Sequence, residues 1–76
     1  MVPIYLISMT EHLEDVISDE FATNLLDIRQ IVKKSMYGIS FVAVDFQTGT
    51  ANLYDDDGDY ERTLYLHKFQ PAGTSE

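Results

Sequence analysis

Residues 39–69 read ISFVAVDFQTGTANLYDDDGDYERTLYLHKF, and this stretch decides the fold. Ile39 to Phe46 is β-branched and aromatic with apolar side chains on both faces, the pattern of a central strand. Gln47, Thr48 and Gly49 predict a tight connection with the glycine in a left-handed conformation. Ala51 to Tyr54 continue as strand, and Asp57-Gly58 is a strong hairpin signal. A last strand runs from about Tyr60 to Phe69, alternating Leu64 and Leu66 against Tyr65, His67 and Phe69. The stretch is therefore a three-stranded antiparallel meander.

Upstream, Pro3 to Ser8 is a short β-prone run that predicts a first strand. Ser8 with Glu11 has the form of a capping box, and Thr10 is a second possible cap. On a helical wheel, Leu13, Ile17, Phe21, Leu25, Ile28, Ile31, Val32 and Met36 gather into an arc of about 140°, so the spacing predicts one amphipathic helix over about 10–37. Its charges suit the helix dipole, with Glu11, Glu14, Asp15, Asp19 and Glu20 early and Arg29, Lys33 and Lys34 late. The 26 residues 11–36 alone would make a helix about 39 Å long, which together with Asn24 inside the arc and Leu26 outside it predicts a kink or break near Ser18 to Asn24. In the broken form, Thr23 or Asn24 caps a second helix ending near Tyr37 and Gly38.

These elements predict an α+β two-layer domain of β-α-β-β-β order, with a mainly antiparallel sheet and the long or kinked helix on one face. Residues 1–70 form one compact domain in this scheme, and 71–76 a frayed polar tail. One helix covers one face, so Tyr5, Val42, Val44, Phe46, Tyr65 and Phe69 are expected on a second, uncovered face. An apolar surface of that size marks a sheet-to-sheet homodimer or a partner protein.

Thirteen Asp and Glu oppose five Lys and Arg, a formal net charge of -8. Direct nucleic-acid binding is disfavoured, because Lys and Arg supply most phosphate affinity. The complement is a basic or nucleic-acid-binding protein, drawn in by long-range attraction. The absence of cysteine removes disulfides and thiolate zinc sites and favours a reducing, cytoplasmic setting. Neither a basic leader nor an apolar run long enough for a bilayer occurs, so no membrane association is expected.

Chemistry concentrates in Tyr54, Asp55, Asp56, Asp57, Gly58, Asp59, Tyr60 and Glu61. With Gly58 at the sixth place of a calcium loop, positions one and twelve fall on Leu53 and Leu64, so the EF-hand pattern fails and no metal is assigned. As a recognition tip, the two tyrosines supply rigid contact area and the carboxylates pair with arginines. Glu11, Glu14, Asp15, Asp19 and Glu20 form a second acidic array on the expected helix. His12 and His67 have no ligand spacing, no serine lies in a nucleophile elbow, and the glycines are scattered singly. The expectation is a noncatalytic protein without cofactor.

No family motif occurs in the chain. In size, charge and element order it resembles, as a type, the small acidic α+β proteins that bacteriophages use to block host enzymes, nucleic-acid mimics and anti-CRISPR proteins among them. That resemblance implies an inhibitor working in a host cytoplasm, presenting carboxylates and aromatics to a basic channel. A structural subunit forming a sheet-to-sheet homodimer, its charge serving solubility only, is the alternative.

Overall fold

A computed structural model describes residues 3–69. The expected tail, 71–76, lies outside them, as do residues 1, 2 and 70. The elements are β1 (Ile4–Ser8), α1 (Leu25–Ser35), β2 (Phe41–Asp45), β3 (Thr50–Tyr54) and β4 (Tyr60–Phe69). The strands form one open antiparallel sheet in the order β1-β4-β3-β2, with α1 on one face, so the α+β two-layer class holds.

Turn chemistry sets the register. Asp45 Oδ1 accepts from the Gln47 and Thr48 amides at 2.9 and 3.3 Å, and Gly49 takes φ +71°, which closes β2 onto β3 with Asp45 opposite Thr50. Ten residues long, β4 uses its first half to pair β3 and its second half to pair β1, the two meeting at Tyr65. Between Leu53 and Tyr54 the register shifts, leaving Glu61 as the extra residue of a bulge.

Because direct strand partners share a face, the pairing sorts every side chain. Val42, Leu53, Ala51, Leu64, Leu66 and Ile7 fall on one face, and all are buried with Ile28, Ile31 and Val32 of α1. On the opposite face lie Phe41, Ala43, Asn52, Tyr54, Thr63, Tyr65, His67, Leu6 and Phe69. The expected second face is therefore corrected. Val42 is buried beneath the helix, Val44 and Tyr5 share its side, and Phe46 packs its ring 5.4 Å from that of Tyr5. Of the expected set, only Tyr65 and Phe69 belong to the open face, because the Asp45–Thr50 register puts Val44 in line with Ala51 and Leu64.

The helix over about 10–37 is corrected in its first half. Only Leu25–Ser35 is helical, capped by Asn24, whose Oδ1 accepts from the Asp27 amide at 2.8 Å. Residues 9–24 run irregularly along the free edge of β1: Tyr5 and Ala22 exchange both backbone hydrogen bonds, and Ile17 N–H donates to Ile7. Asp15 at φ +52° interrupts any helical path, and Leu13 and Phe21 of the expected arc stand about half exposed. An unpaired outer strand leaves a row of unsatisfied amides, and the segment satisfies part of that row instead of forming a helix. These bridges at the edge also complicate the plain β-α-β-β-β order. Among the described residues no helix is long and apolar enough to cross a membrane.

The two faces predict opposite mutational costs. Leu53→Ala, fully buried in wild type, loses about 2–5 kcal/mol. Phe41→Ala, at 59% exposure, loses less than about 1 kcal/mol. Urea denaturation of both variants checks the difference.

Candidate functional site

The β3–β4 turn is built by Asp55. Its Oδ1 accepts from the Asp57 and Asp59 amides at 2.9 Å each, and its backbone N–H and carbonyl bond Asp59 and Gly58 at 3.0 Å. Gly58 takes φ +83°, a conformation that costs glycine little. Asp56 accepts from the Ser40 hydroxyl, and the Ser40 amide donates to the Tyr54 carbonyl at 2.9 Å, so the turn is tied to the strand entry of β2. Asp56, Asp57, Asp59 and Glu61 are exposed, while Asp55 is half-buried by its structural work.

Tyr54 and Tyr60 face each other across the base of this turn, rings 6.1 Å apart and nearly edge to face. Phe41 extends the group, 6.0 Å from Tyr54. Tyr60 hydroxyl bonds Thr63 Oγ1 at 2.7 Å, and Thr63 in turn donates to Asn52 at 2.6 Å, which fixes the ring. Phe41, Ala43, Tyr54 and Gly58 line an open hollow of about 370 Å³ on the open face. Phe41 and Ala43 were not singled out in the sequence, because β2 is apolar on both faces and only its pairing with β3 puts them opposite the buried Val42.

Carboxylate oxygens of Asp55, Asp57 and Asp59 lie within 4.8 Å of one another. Counting a calcium loop from Asp55 places Gly58 fourth and the buried Leu66 twelfth, so this alignment also lacks the terminal bidentate acid.

The second acidic array is corrected in kind. Glu11, Glu14, Asp15, Asp19 and Glu20 are exposed on the irregular segment rather than along a helical stripe, and Glu20 pairs with Lys34 at 2.8 Å. That exposed pair contributes little stability. The capping box is replaced by another use of Ser8. Its hydroxyl, with no exposed surface, donates to the Thr10 carbonyl at 2.7 Å and lies 2.6 Å from His67 Nε2. The single hydroxyl proton goes to the carbonyl, so His67 supplies an Nε2–H to Ser8. This pair pins residues 10–12 over one corner of the open face.

Comparison with known proteins finds no matching family model, curated protein or solved structure.

Asp55 and Asp57 should respond differently to truncation. Asp55→Ala removes both acceptor contacts and speeds hydrogen exchange at the Asp57 and Asp59 amides, about tenfold for each 1.4 kcal/mol of lost closure. Asp57→Ala leaves the exchange of Asp59 unchanged within about twofold.

Proposed function

We propose that this chain is a noncatalytic binding module that docks on a basic protein. We place it as an inhibitor of a nucleic-acid-binding protein, in the manner of the phage proteins its size and charge resemble. One observation carries this reading: the acidic turn, the exposed Phe41 and Tyr60 and the half-buried Tyr54 between them form one continuous surface at an end of the sheet. Charge and contact area are thus supplied together. A net charge of -8 accelerates encounter with a positive surface, and the Tyr54 and Tyr60 rings fix the docked complex. Carboxylates on a rigid turn take the place of phosphates in a groove that otherwise receives nucleic acid. Glu11, Glu14, Asp15 and Asp19 add to the field from the edge segment.

A sheet-to-sheet homodimer is the second reading, favoured by Leu6, Tyr65 and Phe69 on the open face. Salt separates the two. Two copies at -8 repel, so added salt strengthens self-association, whereas docking on a cationic partner weakens.

The test is capture of proteins from a bacterial lysate by immobilised wild type and by an Asp55→Lys, Asp56→Lys, Asp57→Lys variant, read by mass spectrometry. Wild type retains basic nucleic-acid-binding proteins, and charge reversal lowers their recovery at least about tenfold. The same proteins retained equally by both would overturn the proposal, as would self-association that grows with salt and excludes other partners.

A further inference from the structure

The hollow beside the acidic turn is lined mainly by apolar groups. Phe41 and Tyr54 line it, their ring planes inclined at 54°, with Ala43 of β2 and Gly58 of the turn completing the lining. Two aromatic faces meeting at such an angle form an open slot, and each face carries the negative side of its ring quadrupole. Immediately flanking Gly58 are Asp57 and Asp59, whose carboxylate oxygens lie within 4.8 Å of each other and of Asp55. The apolar slot thus adjoins the acidic turn through Gly58, and the two together suit a flat cation.

Among the described residues no cationic side chain pairs with these carboxylates: the only ion pair joins Lys34 of α1 to Glu20 of the edge segment. Carboxylates crowded this closely repel one another, so the turn gains from any external positive charge.

We infer that the hollow seats one arginine side chain of the basic partner, an assignment that rests on the docking function proposed above. The guanidinium stacks flat on the exposed ring of Phe41, with the inclined Tyr54 ring closing one side, and directs its N–H fork to the carboxylates beside Gly58. Arginine fits better than lysine on physical grounds. Its plane stacks on rings, it is weakly hydrated, and its fork matches carboxylate geometry, whereas a compact ammonium holds its water and gains less from an apolar slot. This surface therefore has an anchor, and the surrounding acids steer that anchor into place.

The experiment titrates the whole protein with N-acetyl-arginine methylamide and N-acetyl-lysine methylamide, followed by NMR. The arginine probe should move resonances of Phe41, Ala43, Tyr54 and Gly58 and bind at least about threefold more tightly than the lysine probe. Phe41→Leu, which keeps apolar bulk at an exposed position but removes the ring, should weaken the arginine probe about two- to fivefold, the range of an exposed cation–π contact. Asp57→Asn with Asp59→Asn should weaken it further. Equal binding of both probes, shifts confined to residues 11–20, or no effect of Phe41→Leu would overturn the arginine seat. Should any of these occur while charge reversal still abolishes capture of basic proteins, the seat is wrong and the docking function stands.

Discussion

The apolar stripe of α1, made of Ile28, Ile31 and Val32, has one sheet face to cover, and the rest of the molecule follows from that limit. An eleven-residue helix is about 16 Å long, enough to lie across one side of a small sheet. Val42, Ala51, Leu53, Leu64, Leu66 and Ile7 must all point toward it, and strand alternation then forces Phe41, Tyr54, Tyr65 and Phe69 the other way. A one-residue slip of β3 would turn Ala51 and Leu53 outward and Tyr54 inward, so core packing also determines which aromatics meet solvent.

The meander was legible in the sequence because turns punctuate it: Gly49 and Gly58 sit at positive φ as their surroundings demand, and Asn24 caps the helix. Residues 9–24 were not legible. Their apolar spacing fits a helical wheel, yet the competing demand comes from the outer edge of β1, distant in sequence, and no local pattern reports it. Facing was lost for a similar reason. A strand with apolar residues on both sides does not say which side is inward, and only its register with Ala51 and Leu53 resolves Val42 and Val44 as core. The candidate turn was visible as a cluster of acids with two tyrosines. Its third ring, Phe41, comes from another strand and needed the fold.

The same division separates structural from available groups in the turn. Asp55 is spent on backbone amides and Asp56 on Ser40, whereas the carboxylates of Asp57, Asp59 and Glu61 have no such partners among the described residues and face water. The turn is thus rigid where it joins the sheet and uncommitted at its outer surface, a combination that lowers the ordering cost of binding.

The central claim is that one sheet face is core and that the other, beyond the corner covered by residues 10–12, meets solvent and carries its rings beside the acidic turn. Solvent paramagnetic relaxation with a neutral gadolinium chelate, measured on assigned side-chain protons, tests it without bias from the protein's charge. Strong relaxation at Phe41 and Tyr60 with little at Val42, Leu53 and Leu64 is the predicted result. Equal protection of Phe41, Tyr60 and Leu53 would contradict the account, because it would mean that a second copy or the chain itself covers the face described as open.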